Sequence, residues 1–392
     1  MSDIVIAAAK RTPIGAFLGQ FTGFPTPKLG ASAIAAALQQ SGIVPGDVGE
    51  VLMGCVLPAN LGQAPARQAA LAAGLPPSTG CTTLNKVCGS GMKAIMLGHD
   101  LIKAASADVV VAGGMESMTN APHMAAVRTG IRIGEGTLVD HMMWDGLTNP
   151  YDGKSMGVFA ENCADKYHFT REQQDAFATE SVRRAQTAVK DGSFAAEIAP
   201  VTVPSRKGNV EVSSDETPGK VDPARIPTLK PAFRKENGTV TAASSSSISD
   251  GAAAVVLLSA DNARARGIEP LARIVAHATH SQEPQWFTTA PVGAIEKVLK
   301  KAGWQVGDVD LFEVNEAFAV VAMAAMQDLS IPHDKLNVHG GACALGHPIG
   351  CTGARIVVTL LHAMLQRGAR RGVASLCIGG GEATAIAIER FG

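Results

Sequence analysis

A glycine-rich turn leads a helical stretch, an apolar strand follows, and the strand ends in paired glycines and an acid. This pattern occurs twice in the chain. The first copy runs from Cys88-Gly89-Ser90-Gly91-Met92-Lys93-Ala94 through the strand-like Ala107–Val111 to Ala112-Gly113-Gly114-Met115-Glu116. The second runs from Gly350-Cys351-Thr352-Gly353-Ala354-Arg355 to Ile378-Gly379-Gly380-Gly381-Glu382. Repetition of turn, helix and strand predicts two similar βαβ-type halves. The alternative is that glycine-rich turns after buried strands look alike in any α/β protein. Both readings place the chain in the α/β class.

At 392 residues the chain exceeds what one ordinary core serves, so two or three domains are expected. It is 46% apolar but only 4% aromatic and carries 42 glycines, which favours close helix–sheet packing. Between the two copies the character changes. From about Met118 to Ser249 the chain holds Tyr151-Asp152-Gly153, a charged helical stretch from Thr170 to Lys190, and a polar segment from Ser205 to Lys220. Pro204, Pro218, Pro223, Pro227 and Pro231 punctuate it into loops and turns. The buried pattern resumes at Ala252–Leu258, so the segment reads as an insertion, a common place for ligand binding.

With 34 basic against 35 acidic side chains the formal charge is −1, and no global field points to nucleic acid or an anionic membrane. Apolar runs such as Ala317–Met326 fall short of the roughly 20 residues a spanning helix needs. Seven cysteines without a CxxC pair speak against a disulfide framework or a zinc site. Ile4-Val5-Ile6-Ala7-Ala8-Ala9 enters a strand without a presequence, and Glu389-Arg390-Phe391-Gly392 is no sorting signal. A cytoplasmic location is the expectation. His277 and His280 suggest a metal pair, but no third ligand lies nearby in sequence, so no metal is expected.

Cys88 stands before a helical pattern, where unpaired N–H groups and about half a positive charge favour thiolate. Gly89 and Gly91 clear side chains from the approach to the sulfur. The competing reading is a buried structural cysteine. His347 lies between Gly346 and Pro348 in a loop-forming run, and a cysteine with a distant histidine suits covalent catalysis. Cys377 closes the apolar run Val373-Ala374-Ser375-Leu376 before a glycine run. Open backbone N–H groups there suit proton transfer beside an oxyanion site. Asn315 and Glu316 interrupt an otherwise apolar helical stretch. Cys55, Cys81, Cys163, Cys343 and Cys351 have no companion motif and are read as passive.

In this order and spacing the Cys88-Gly-Ser-Gly, Asn315-Glu-Ala-Phe, Gly346-His-Pro and Cys377-Ile-Gly-Gly-Gly blocks resemble the thiolase family, in its acetyl-CoA acetyltransferase branch. The resemblance spans the chain. It includes Ala8-Ala9-Lys10-Arg11-Thr12-Pro13-Ile14-Gly15, Gly62-Gln63-Ala64-Pro65-Ala66-Arg67-Gln68-Ala69, Met115-Glu116-Ser117-Met118 and Ser249-Asp250-Gly251-Ala252-Ala253-Ala254. It implies a five-layer αβαβα fold. The first half would take residues 1–117 and 250–270, the second 271–392, and 118–249 would be an inserted CoA-binding loop domain.

The resemblance also implies reversible Claisen condensation of two acetyl-CoA to acetoacetyl-CoA and CoA. Cys88 would carry the acyl group, His347 would take its proton, and Cys377 would deprotonate the second acetyl-CoA. His347 with a water held by Asn315 would form one oxyanion site, and the N–H groups of Cys88 and Gly379 the other. No metal or redox cofactor is implied. Met156, Phe318, Ser246 and Ser155 would lie along the CoA and acyl site. Among Arg206, Lys207, Lys220, Arg225, Lys230, Arg234 and Lys235, Lys220 is the choice for CoA phosphate, although a solvated surface explains these residues equally well. Ser155 stands where many biosynthetic members carry His, and Ser244 where Asn is usual. Longer-chain 3-ketoacyl-CoA thiolysis uses the same residues and stays open. A decarboxylating ketosynthase would place a histidine at Asn315, and a non-catalytic lipid carrier would tolerate loss of a reactive group. The family habit implies a homotetramer.

Overall fold

The structure, a computed structural model, describes residues 2–206 and 208–391; Lys207 lies outside the described residues. Nine strands lie along the main path of one mixed sheet. They are β1 (Ile4–Arg11), β2 (Glu50–Gly54), β3 (Gly80–Leu84), β4 (Val109–Ser117), β5 (Ser249–Ser259), β6 (Ala272–Ser281), β7 (Leu311–Val314), β8 (Arg371–Ile378) and β9 (Glu382–Glu389). The principal helices are α1 (Thr26–Ser41), α2 (Pro65–Ala72), α3 (Ser90–Lys103), α4 (Met156–Tyr167), α5 (Arg171–Asp191), α6 (Ala290–Ala302), α7 (Ala319–Leu329) and α8 (Ile349–Arg367).

The strand order is β7-β8-β9-β6-β1-β5-β4-β2-β3. It contains the same pairing twice. In one half β2 runs parallel to β4, β4 antiparallel to β5, and β5 antiparallel to β1. In the other, β7 runs parallel to β8, β8 antiparallel to β9, and β9 antiparallel to β6. The halves are joined in one ladder where Ile4, Val5 and Ile6 of β1 face Ile274, Arg273 and Ala272 of β6.

Side-chain alternation assigns each strand to two cores at once. Val110 and Ala112 of β4 face a central core with Ile386 and Ile388 of β9, and that core holds Met92 and Ile95 of α3 and Ile356 and Leu360 of α8. Val109 and Val111 face the opposite way, onto Leu29 and Ile34 of α1. Ala385 and Ala387 turn toward Ile295 and Val298 of α6. The layers are therefore helix, sheet, helix, sheet, helix, with α3 and α8 paired in the middle. The helix α8 is long and apolar enough, by length and composition, to cross a membrane, which the run lengths in the sequence did not suggest. It lies almost wholly buried in this central layer, the place of a core helix.

Two expectations change. Gly113 and Gly114 do not end β4, which continues to Ser117. They are points of close approach: a Cβ on Gly113 would lie 2.0 Å from Ala253 O, and one on Gly114 2.0 Å from Gly350 O. Asn315 and Glu316 do not interrupt a helix either. They form the turn between the buried strand β7 and α7, which begins only at Ala319.

Between β4 and β5 lie α4, α5 and the hairpin Val201–Ser205 with Gly208–Val212. Thr170 and Gln173 close a capping box on α5, so the charged stretch starts where its N-cap residue dictates. The segment is anchored on the second half through Ser181, which donates to Glu316 Oε2 at 2.7 Å and accepts from Gly341 N–H at 2.9 Å.

Candidate active site

Cys88 lies in a turn held by its own side chains. Asn85 Oδ1 accepts the Val87 N–H at 2.8 Å, while Ser90 Oγ accepts the Lys86 N–H at 2.8 Å and donates to Val87 O at 2.7 Å. Val87, a β-branched residue, is thereby kept in the left-handed region at φ +46°. Such strain costs on the order of 1–3 kcal/mol and persists only where the surroundings over-determine it. The helix α3 starts two residues beyond the sulfur.

Gly89 and Gly91 do not clear an approach for substrate, as the sequence suggested. A Cβ on Gly91 would meet Ala354 N at 2.7 Å, and one on Gly89 would meet Ile378 Cδ1 at 2.3 Å. They let α3 press against α8 and β8, which brings three segments of the site together.

The helix start does not make Cys88 a thiolate at rest. Burial pushes its pKa up to about 11, and the nearby Glu116 charge adds to this. The backbone N–H groups of Gly379 and Cys88 pull the other way without winning. These two donors lie close to the sulfur, where the oxygen of a Cys88 adduct would also form. Cys377, at the end of β8, is fully buried. Its pKa is raised well above the ordinary thiol value, first by burial and then by Cys88. The two thiols therefore disfavour carrying charge together.

His347 is buried and its state is set by one neighbour. Thr352 Oγ1 donates to Pro348 O at 3.0 Å and so accepts from His347 Nδ1, 2.7 Å away. The proton is then on Nδ1, and Nε2 is left as a lone pair, buried and without a hydrogen-bond partner among the described residues. Burial lowers the imidazole pKa to about 3, with the Arg355 charge adding to it. A neutral imidazole with a bare Nε2 offers an acceptor there, and it takes a full proton only when a negative charge forms beside it. Ile349, two residues on, packs in the same small cluster as Cys88, Leu57 and Met142.

Asn315 is equally poised. Its N–H donates to Ser375 O at 3.0 Å, fixing it beside the strand that carries Cys377. Its Oδ1 accepts from Arg355 Nη2 at 3.4 Å, and its buried Nδ2 has no partner among the described residues. Arg355, fully buried, is held in turn by Glu313 at 3.1 Å. Glu316, the other polar residue of this turn, is a joint: it accepts from Ser181, Asn337 and the Cys343 N–H.

A cleft of about 370 Å³ opens beside Gly379 and Gly380 and is lined by Val87, Trp144, Asn149 and Met156. A Cβ on Gly379 would lie 3.5 Å from Val87 Cγ1 and 3.7 Å from Met156 Cε, so the methionine faces the turn that serves Cys88. Ser155 is the N-cap residue of α4 and pairs through its backbone with Thr148. Phe318 stands edge-on to Phe233 at 5.8 Å and shares a core with Cys377. The Ser246 hydroxyl donates to Ala317 O at 3.0 Å. Ser244 is buried and accepts from the Thr241 N–H at 2.8 Å, folding the turn next to it.

Lys220 is not gathered with these residues. It is exposed and bound to Glu216 at 2.5 Å, one short turn from residues that pack on α5. Arg234 is paired with Asp165 at 2.8 Å. Sequence reasoning gave no role to Thr352, Arg355 or Glu116. Thr352 follows His347 by five positions, and Arg355 is a charge inside an apolar helix, twelve residues from the Arg367 that ends it, which is the signal that could have marked it. Glu116 accepts from Val56, Leu57 and Gly350 N–H groups, tying the loop after β2 to the start of α8. Burial raises its pKa to about 7.

Comparison with known proteins adds a second line. The family description "Thiolase, N-terminal domain" matches residues 4–261, and "Thiolase, C-terminal domain" matches 268–390. Acetyl-CoA acetyltransferase 2 of Arabidopsis thaliana is 50% identical over 390 residues, 99% of this chain and 97% of that protein. Acetyl-CoA acetyltransferase of Pseudomonas aeruginosa is 49% identical over the full length of both chains. The crystal structure of Acat5 thiolase from Ascaris suum, in complex with coenzyme A, matches with a TM-score of 0.95 at 42% identity, covering 99% of this chain and 100% of that one. Matched in both of its domains and along its whole length, the chain belongs to the thiolase family.

Proposed function

We propose that this chain is an acetyl-CoA acetyltransferase, joining two acetyl-CoA to acetoacetyl-CoA and CoA and running the reverse thiolysis. The names of its full-length relatives support the activity. The arrangement of His347, with Nδ1 held by Thr352 and Nε2 buried and bare, is the observation that carries the residue roles.

The Cys88 thiol passes its proton to His347 Nε2, and the thiolate attacks the acetyl-CoA carbonyl. The negative oxygen of the adduct is met by the Cys88 and Gly379 N–H groups. Each such donor is worth roughly 3–4 kcal/mol of barrier. The C–S bond to CoA breaks, and the leaving sulfur takes the Cys377 proton. The resulting Cys377 thiolate removes a methyl proton from a second acetyl-CoA. The enolate oxygen is met by the protonated His347 Nε2 and by Asn315 Nδ2, directly or through water. The enolate carbon attacks acetyl-Cys88, acetoacetyl-CoA forms, and the Cys88 thiolate recovers its proton from His347. One negative sulfur or oxygen is present at each stage, in keeping with the mutual repulsion of the two thiols.

Phe318 and Met156 are read as filling space beyond a short acyl group, Ser155 and Ser246 as bordering the pantetheine, and Lys220 as free to meet phosphate only by leaving Glu216. Exposed apolar residues of the arm after β4, Ile133 at 97% and Leu138 at 68% exposure, support a homotetrameric assembly that covers them. The test is a chain-length series of 3-ketoacyl-CoA thiolysis. Methylene discrimination of about 1–3 kcal/mol predicts kcat/KM falling from four carbons to eight. A rise across the series would favour a degradative thiolase instead.

A further inference from the structure

The sequence offered His277 and His280 as a histidine pair without a third ligand. The strand β6 separates them, because an odd spacing sends their side chains to opposite faces. His280 turns to Gln282 Oε1 at 3.0 Å and lies against Gly293. His277 instead meets two residues of α3 that precede it by about 180 positions in sequence. Its Nε2 lies 2.9 Å from Asp100 Oδ1 and 3.3 Å from His99 Nδ1, and the last two atoms are 3.0 Å apart.

Protons satisfy this triangle only if both imidazoles donate to the same oxygen, Asp100 Oδ1. With a proton on each nitrogen, the two N–H groups converge on that one oxygen and crowd each other beside the 3.3 Å edge. With a proton on one nitrogen only, the other presents a lone pair to a carboxylate oxygen. A single cation satisfies all three atoms. Metal–donor bonds of about 2.0–2.2 Å place neighbouring donors about 2.9–3.4 Å apart for octahedral to tetrahedral angles, which the three edges match. Lys301 is the nearby charge that opposes an ion here, its amine lying 2.9 Å from His277 O.

We propose that His99 Nδ1, Asp100 Oδ1 and His277 Nε2 bind one divalent transition-metal ion of the zinc class, water completing the shell. The ion would pin α3, the helix behind Cys88, to β6 of the second half. His99 lies about 14 Å along α3 from Ser90, so the site is a structural clamp apart from the thiols.

The test uses full-length protein, treated with chelator and with its thiols blocked by alkylation, titrated with Co²⁺. The proposal expects one ion per chain by equilibrium dialysis, visible absorption of a nitrogen–oxygen ligand set without sulfur charge transfer, and binding weakened at least tenfold in both His277→Ala and Asp100→Asn. The side chains are partly exposed and both variants should fold, which circular dichroism checks. Absence of stoichiometric binding, or affinity unchanged in the two variants, would overturn it.

Discussion

The contact between His347 Nδ1 and the Thr352 hydroxyl, 2.7 Å long, decides which imidazole nitrogen is the base. Because that hydroxyl spends its own proton on Pro348 O, the histidine must donate to it. Two side chains five positions apart thereby leave Nε2 unprotonated and buried. Arg355 adds to this in two ways. After burial, its charge helps to hold the imidazole neutral, and its guanidinium engages Asn315 Oδ1, leaving the amide NH₂ free for another partner.

Thr352→Val removes this orienting hydroxyl while keeping the shape. The expected loss in kcat is at least about tenfold, but smaller than the roughly 10²–10⁴-fold worth of a whole acid–base step. KM for acetoacetyl-CoA should stay near the parent value, and Thr352→Ser should restore most of the rate. Steady-state thiolysis kinetics of the three proteins decide it; an unchanged kcat in the valine variant would remove the positioning role.

Asn315→Ala deletes one enolate donor. The loss expected in condensation is about 10²–10³-fold, while acetylation of Cys88, which uses the other oxyanion site, should persist. Rapid-quench measurement of the acetylated fraction separates the steps. If acetylation and condensation fall together, Asn315 serves the first site as well.

The pH dependence of stability follows from His347. Its folded pKa of about 3 lies below the unfolded value of 6.5, so between these values the unfolded chain binds the extra proton. The stability that the neutral buried ring contributes is complete above pH 6.5 and is lost as pH falls toward 3, with a slope of up to about 1.4 kcal/mol per pH unit. In His347→Asn the acid slope in this window should be shallower by up to that amount. Urea midpoints between pH 4 and 7 measure it, and identical slopes would mean the imidazole is solvated.

Gly91→Ala tests the close packing of the central layer. The added Cβ would lie 2.7 Å from Ala354 N, so α3 and α8 must separate. Overpacking of this kind costs about 1–3 kcal/mol, read as a lower denaturation midpoint with an unchanged m-value. A midpoint equal to the parent's would show that the helix pair gives way freely.

Much of this architecture was legible because its causes are local. Apolar runs bounded by turn residues mark β1, β5 and β8, and the duplicated turn–helix–strand pattern anticipates the two matching halves. Cys88, Asn315, His347 and Cys377 stood out because reactive or polar groups sat among glycines and buried strands. What stayed hidden depends on distance in space. The low dielectric that reverses the expected Cys88 ionisation is a property of the packed site, not of its helix start. Arg355 and Thr352 read as parts of an apolar helix until α8 is set against β7 and the Gly346–Pro348 turn. His277 found partners on α3 that no spacing rule links to it. Lys220 had nothing but charge to recommend it, and the local four-residue pair with Glu216 used that charge.

The central claim is that Cys88 carries the acyl group while Cys377 moves the proton. Intact-mass analysis of Cys377→Ser after incubation with acetyl-CoA, followed by peptide mapping, tests it most directly. The account predicts a single added acetyl group on Cys88 in a variant whose turnover has dropped by about 10²–10⁴-fold. Acetyl found on another residue, or none retained at Cys88 under rapid quench, would contradict it.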